Sequence, residues 1–174
     1  MRILGIDPGI TRCGVGIIEV DYRRTTKFIG VDVIRTSIEF ELPTRLMALG
    51  KEIEDIIQAF QPDSVAIERV FSQHNVRSAM DTASASAVSA YICANHNLPI
   101  SMYTPTEVKA AVTGNGRADK SQVTAMVSKI LRLTTPPKPA DAADALALAI
   151  CHAWRGIGKM RLQGSSSSLA EANR

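Results

Sequence analysis

Short apolar runs separated by polar turns predict five β-strands along this chain. The runs occupy residues 3–7, 13–20, 25–36, 64–68 and 98–103. Only residues 21–24 separate the second run from the third, so these two runs are predicted to form a hairpin. The first run ends at Asp7 before a Pro-Gly turn, and the fourth ends at Glu68. Two of the predicted strands therefore stop at a carboxylate.

Helical spacing of apolar residues and capping motifs predict five helices. The first covers residues 43–60, and its apolar face consists of Leu46, Leu49, Ile53, Ile56, Ile57 and Phe60. Residues 104–107 form a capping box for a helix that ends near Gly114, and residues 119–122 form a second one for a helix to Leu133. The remaining two helices are predicted over residues 75–95 and 141–154.

The order of these elements predicts an α/β fold. Strands in hairpin succession, followed by strands that alternate with helices, indicate one mixed five-stranded sheet with helices packed on both faces. A length of 174 residues fits a single domain. We assign this domain to residues 1–155 and predict that residues 156–174, which include four consecutive serines, form a disordered tail.

Composition and cysteine usage are typical of a soluble cytoplasmic protein. The chain is 45% hydrophobic and 21% charged, and its apolar runs are shorter than the roughly 20 residues that a membrane helix needs. The start of the chain is predicted to be a strand rather than a signal peptide. Cys13, Cys93 and Cys151 are odd in number and far apart, so we expect reduced thiols and a cytoplasmic protein without a membrane partner.

Positive charge is concentrated in one part of the chain. The net charge is only +3, but residues 107–138 contain six basic and two acidic residues and so carry +4. The basic residues of this segment are Lys109, Arg117, Lys120, Lys129, Arg132 and Lys138. Such a segment is a candidate surface for nucleic-acid phosphates, and a solvated helix face explains it equally well.

Four acidic residues are candidate metal ligands. If the strands that end at Asp7 and Glu68 are neighbours, their carboxylates meet at the edge where ligands bind open α/β sheets. Asp141 and Asp144 are three residues apart at a helix start and face the same way. Taken singly, Asp7 could cap its turn, and the other two could cap a helix and complement its dipole. Taken together, four carboxylates suit Mg²⁺ or Mn²⁺.

Four sequence motifs carry a resemblance to a known family. They are residues 3–9 (ILGIDPG), 66–71 (AIERVF), 120–123 (KSQV) and 141–147 (DAADALA), in this order along the chain. Together they resemble the RuvC family of bacterial crossover-junction endodeoxyribonucleases, the Holliday junction resolvases of the ribonuclease H-like superfamily. The resemblance covers residues 1 to about 155. It implies a ribonuclease H-like fold and homodimers that nick two strands of a four-way junction symmetrically during DNA recombination and repair.

The resemblance also implies roles for individual residues. Asp7, Glu68, Asp141 and Asp144 match catalytic acids that bind two Mg²⁺ ions, with Mn²⁺ as a substitute. Lys109 and Lys120 match basic catalytic residues near the scissile phosphate, and Phe71 matches an aromatic that contacts unpaired bases. Arg69, Arg77 and Arg117 are further candidates for DNA contacts, and Arg69 replaces a Gln that is familiar in the family. Family members act with a branch-migration motor.

Several of these residues also admit ordinary structural roles. A lone aromatic such as Phe71 is more often a core residue than a base-stacking one, and Lys109 and Lys120 could be exposed helix residues. The small residues between Met80 and Ala94 suit a dimer contact or packing within the chain. Two other functions compete with nuclease activity. An ATP-binding fold of the actin and sugar-kinase type explains Asp7-Pro8-Gly9, and a non-catalytic DNA-binding module explains the basic segment but not the acids.

Overall fold

The computed structural model of the protein describes residues 1–70 and 76–171, and the side chains of residues 1–70 and 78–156 within them. This part of the chain contains five strands: β1 (Arg2–Asp7), β2 (Arg12–Val20), β3 (Thr26–Arg35), β4 (Ser64–Glu68) and β5 (Ile100–Tyr103). It contains five helices: α1 (Leu42–Phe60), α2 (Val76–Asn95), α3 (Pro105–Thr113), α4 (Lys120–Ile130) and α5 (Ala140–Glu171).

The strands form one mixed sheet in the order β3-β2-β1-β4-β5. The first three strands pair antiparallel, whereas β4 pairs parallel with β1 and β5 pairs parallel with β4. This arrangement confirms the predicted mixed five-stranded sheet and the predicted hairpin. Because β1 and β4 are parallel neighbours, Asp7 and Glu68 come to the same edge of the sheet.

Helices cover both faces of the sheet, as predicted. One core lies between the sheet and helices α3, α4 and α5, and it contains Ile3 of β1. A second core lies between the opposite face and helices α1 and α2, and it contains Leu4 and Ile6 of the same strand. All three of these side chains are fully buried, so β1 alternates between two cores with the period of two that a strand imposes.

Helix α5 packs directly on the backbone of β1 and β2. A Cβ atom added to Gly5 would lie 2.1 Å from the carbonyl oxygen of Ala145, and one added to Gly14 would lie 2.1 Å from that of Asp141. Any side chain at these positions would push the helix away from the sheet. The two glycines therefore fix the position of the first turns of α5, which carry Asp141 and Asp144.

The ends of some helices differ from the prediction. Both predicted capping boxes are present, at Thr104 with Glu107 and at Asp119 with Gln122. Helix α4 ends at Ile130 rather than at the predicted Leu133, because the chain turns through a positive φ of 53° at Arg132. Helix α5 continues beyond the predicted end near Trp154 to Glu171.

The division into a domain of residues 1–155 and a disordered tail of residues 156–174 stays a prediction. Within the described residues, none of the helices combines the length and the apolar character that crossing a membrane requires.

Candidate active site

Three of the four predicted acids line one pocket at the carboxyl edge of the sheet. The pocket has a volume of about 220 Å³ and is lined by Asp7, Glu68 and Asp144 together with Lys109 and Lys120. The two strands β1 and β4 bring the first two acids together, α5 brings the third, and α3 and α4 supply the lysines. If the acids bind a metal ion they must lie close together, as these three do. If each acid only capped its own turn or helix, they would not need to.

The fourth predicted acid, Asp141, faces an adjoining pocket. This pocket has a volume of about 410 Å³ and is lined by Asp141, residues 9–12 and three residues of α2. The Oδ2 atom of Asp141 lies 3.2 Å from Nε of Arg12. The same oxygen is buried and accepts no hydrogen bond, because the ion pair with Arg12 does not have hydrogen-bond geometry. Asp141 therefore presents a buried oxygen that still lacks a donor.

Burial and mutual repulsion make the charged forms of two acids costly. Burial, followed by the charges of Glu68, Asp144 and Asp141, raises the pKa of Asp7 to about 8. Burial and the charge of Asp144 raise the pKa of Glu68 to about 7. The positive charge of Lys120 opposes both shifts. Like Lys120, a bound cation would favour the charged forms of Asp7 and Glu68.

Lys120 already neutralises part of the acidic cluster. Its Nζ atom donates a hydrogen bond of 3.1 Å to Oδ2 of Asp144, and the charge and hydrogen bond of Asp144 raise the pKa of Lys120. Arg12 plays the corresponding part beside Asp141. Asp141 and Asp144 of α5 are thus each paired with a cationic side chain.

The chemistry of these residues fits a divalent cation. All candidate ligands are carboxylate oxygens, two of them have raised pKa values, and one buried oxygen lacks a donor. No three acidic side chains among the described residues are yet close enough together to hold an ion without movement. To bind an ion, Asp144 would have to turn from Lys120 and Asp141 from Arg12.

The predicted DNA-contacting residues differ in where they lie. Arg69 is exposed directly after Glu68, and its backbone N–H donates to the carbonyl of Tyr103. Arg117 is exposed on the loop after α3, and a Cβ at its neighbour Gly116 would lie 2.8 Å from Cγ2 of Thr106. This loop therefore folds back toward the start of α3 and the pocket. Phe71 and the side chain of Arg77 lie outside the described residues.

Four of the six basic residues in the segment 107–138 line two different concave surfaces. Lys109 and Lys120 line the acidic pocket, whereas Arg132 and Lys138 line a separate groove beside β3. The sequence interpretation missed Arg12, which pairs with Asp141. Its place just after the Pro-Gly turn at the end of β1 was the available indication that it lies near the acids.

The fold and the pocket define a class of protein. A mixed five-stranded sheet with helices on both faces defines a ribonuclease H-like α/β fold, and acids with lysines beside them at its carboxyl edge suit metal-dependent chemistry on phosphates. Residues 3–152 match the family model described as crossover junction endodeoxyribonuclease RuvC. The chain therefore belongs to the RuvC family and is an endodeoxyribonuclease, which argues against both competing functions.

Relatives and solved structures agree with this assignment. The chain is 58% identical over 163 residues to the crossover junction endodeoxyribonuclease RuvC of Streptomyces avermitilis, covering 94% of this chain and 93% of that protein. The structure of Thermus thermophilus RuvC matches with a TM-score of 0.83 and 30% identity, covering 91% of this chain and 97% of that chain. Thermus thermophilus RuvC in complex with a Holliday junction substrate matches with a TM-score of 0.83 and 32% identity, covering 88% and 93% of the two chains.

Proposed function

We propose that this chain resolves four-way DNA junctions by paired, symmetric nicks during homologous recombination and DNA repair. The observation that carries the proposal is the pocket in which Asp7, Glu68 and Asp144 face Lys109 and Lys120. Acids on a DNA-facing surface oppose binding of phosphates unless a cation neutralises them, and this surface combines acids with flanking lysines. The similar Thermus thermophilus protein whose structure contains a Holliday junction substrate supports the choice of junction DNA.

Asp7, Glu68, Asp141 and Asp144 would hold two Mg²⁺ ions, or Mn²⁺ in their place. When bound, such ions activate a water molecule and stabilise the attacking and leaving oxygens of an in-line displacement. The protein's own residues then have distinct tasks. The four carboxylates, which come from two strands and one helix, would hold the ions in place. Lys120 and Lys109 stabilise negative charge as it develops on the scissile phosphate.

Residues around the pocket would position the DNA. Arg69 directly follows the pocket residue Glu68, and Arg117 lies three residues before the pocket residue Lys120. Both side chains are exposed and would contact phosphates of the cleaved strand. Arg77 would make a further contact with the DNA. By the family resemblance, Phe71 stacks on an unpaired base, which contributes roughly 1–3 kcal/mol per base. Such stacking would favour a junction over an intact duplex, since a duplex offers no unpaired base.

We further propose that the protein acts as a homodimer, because two symmetric nicks need two active sites related by a two-fold axis. An exposed stripe on α2 supports this assembly. Met80, Ala83, Ala87 and Tyr91 follow one another at helical spacing on its surface, and the first and last are 66% and 63% exposed. The opposite side of α2 contains the buried residues Ala85 and Ser89, so packing within the chain accounts for only one of its faces.

The place of action follows from the substrate and the thiols. Cys13, Cys93 and Cys151 are all buried and free of disulfides. Free thiols suit a reducing compartment, so we assign the protein to the bacterial cytoplasm, where its DNA substrate lies. The family resemblance implies that a branch-migration motor moves the junction to the position where the two nicks are made.

The test is a Mg²⁺ titration of nicking on a four-way junction and on a linear duplex of the same sequence. We expect metal-dependent nicks at symmetric positions in two strands of the junction, and much slower cleavage of the duplex. ATP hydrolysis, measured alongside, should be absent. Equal cleavage of both DNAs would leave a general nuclease and refute resolution of junctions as the function.

A further inference from the structure

A second concave surface lies beside β3, away from the acids. This groove has a volume of about 850 Å³ and is formed by residues 24–28, Val31 and residues 130–138. Thr26 begins β3 at the end of the sheet where Val20 ends β2, whereas Arg35 ends β3 beside Arg12 and the acidic edge. A strand of this length spans about 30 Å. The part of the groove at the Thr26 end of β3 is therefore remote from the active site.

The floor of the groove is apolar. Phe28 and Val31 are partly buried against the same core as Ile130 and Leu133. Gly30 pairs with Ile17 and Phe28 pairs with Ile18, which leaves Ile29 as an unpaired bulge residue. Because of this extra residue, Phe28 and Val31 point to the same face of the sheet although they are three residues apart.

The rim of the groove is positively charged, although Glu19 lies opposite Lys27 where β2 pairs with β3. Arg24, Lys27, Arg132 and Lys138 line it and are exposed, and no acidic residue lines it. None of the four forms an ion pair among the described residues, and Arg24 uses Nη1 to donate to the carbonyl of Trp154. Four exposed cations around an apolar floor are complementary to a ligand that carries both carboxylates and an apolar side chain.

Two of these arginines occupy backbone positions that disfavour them. Arg24 has a φ of 63° and Arg132 has a φ of 53°, in the left-handed region where glycine or asparagine is the favourable residue. Both arginines therefore lie on tight turns at the groove, and Gln61 and Asn97 adopt the same conformation elsewhere in the chain.

We propose that this groove binds an acidic segment of a partner protein, with an apolar side chain of that segment on the floor and its carboxylates on the rim. Duplex DNA would use the cations alone and leave the apolar floor exposed. A peptide with both chemistries uses the whole surface.

The test compares a groove variant with a charge-matched control. A library of displayed random short peptides is panned on the full-length wild-type protein, and selected peptides are titrated against Lys27→Ser/Arg132→Asn and against Lys51→Ser/Lys129→Ser. Lys51 and Lys129 do not line the groove, and their loss removes the same charge. Arg132→Asn places a residue that tolerates a positive φ, so we expect the groove variant to stay folded.

We expect selected peptides to be enriched in Asp and Glu around an apolar residue and to bind the groove variant about tenfold more weakly, with the control variant unchanged. Peptides without acidic enrichment, or equal binding by the groove variant, would overturn the proposal. Displacement of the peptides by short duplex DNA, with the same dependence on Lys27 and Arg132, would reassign the groove to DNA. Junction nicking by the groove variant should equal that of the wild type, which separates this site from the active site.

Discussion

At the scale of single residues, the candidate metal ligands lie beside cationic side chains that partly neutralise them. Lys120 holds Asp144, and Arg12 lies beside Asp141, while Asp7 and Glu68 face each other with raised pKa values. An acid that serves only as a helix cap would not need neighbouring cations or two further acids beside it. The two interpretations of Asp144 therefore differ in what its replacement does to cleavage.

We expect Asp144→Asn to abolish most nicking while junction binding survives or tightens, because the change keeps the shape and removes a charge that repels phosphate. If Asp144 only complemented the helix dipole, its replacement would cost about 0.3–1 kcal/mol of stability and leave nicking nearly intact. The measurement is junction binding and nicking rate across a Mg²⁺ and Mn²⁺ series.

Asp119→Asn provides the matched control for this prediction. Asp119 caps α4 one residue before Lys120, and Asn caps helices equally well, so the variant removes a nearby charge but no proposed ligand. It should nick at close to the wild-type rate. Comparable losses of nicking in both variants would mean that general charge, rather than a ligand at Asp144, controls cleavage.

A buried histidine makes stability depend on pH. His152 is fully buried between the hydroxyl of Tyr103, 2.8 Å from Nδ1, and that of Ser64, 3.2 Å from Nε2. Burial lowers its pKa to about 4, well below that of an exposed histidine. Between about pH 6.5 and pH 4 the unfolded chain therefore binds a proton at this position that the folded protein does not.

We expect this histidine to contribute stability that is complete above about pH 6.5 and is lost as the pH falls toward 4, by on the order of 3 kcal/mol. Asp7 and Glu68 act in the opposite direction, because their raised pKa values make the folded state bind more protons than the unfolded chain. Urea unfolding of wild type and His152→Gln across this range isolates the histidine. Parallel stability curves for the two proteins would contradict the prediction.

At the scale of secondary-structure elements, the sequence predicted those features that depend on neighbouring residues in the chain. The limits of β4 and both capping boxes were confirmed, because apolar runs and capping residues act over a few positions. The predicted end of α4 was wrong. Arg132 adopts a positive φ, and nothing in the sequence indicated it, because glycine or asparagine is the usual residue in that conformation.

Features that depend on tertiary contacts were beyond the sequence. The sequence predicted that Asp7 and Glu68 would meet only if their strands were neighbours, and the structure shows that β1 and β4 are parallel neighbours. The pairing of Arg12 with Asp141 and the groove beside β3 could not be predicted, because both arise where segments far apart in the chain pack together. The glycines of β1 and β2 were visible in the sequence, but their role depends on how closely α5 approaches them.

The contact between α5 and the sheet leads to an element-scale prediction. Gly5→Ala places a Cβ 2.1 Å from the carbonyl oxygen of Ala145, so α5 must shift, at a cost of about 1–3 kcal/mol. We expect lower stability in urea and a marked loss of nicking, because the shift moves Asp144 away from Asp7. In the control Gly30→Ala, the new Cβ meets only Phe60, at an ordinary 3.8 Å. An unchanged nicking rate in Gly5→Ala would show that the acids do not depend on this contact.

At the scale of the whole molecule, the proposed two-fold assembly can be tested through α2. Met80→Glu/Tyr91→Glu puts two charges on the exposed stripe, and burial of charges in an interface is unfavourable. We expect wild type to sediment as a dimer, the double variant to shift toward monomer, and its paired nicks to become single nicks. Tyr22→Glu, on the distant β2–β3 turn, is the control and should remain a dimer. A wild type that is monomeric both free and on junction DNA would contradict the assembly.

The glycine contact under α5 also has a consequence for how a cation would be captured. No side chain lies between Gly5 or Gly14 and the helix backbone, so rotamer changes cannot alter the spacing between the strand acids and the helix acids at these points. The conformational entropy of gathering carboxylates from distant parts of the chain is therefore lost when the protein folds, not when the ion arrives. What remains for the ion is the smaller cost of turning Asp144 from Lys120 and Asp141 from Arg12.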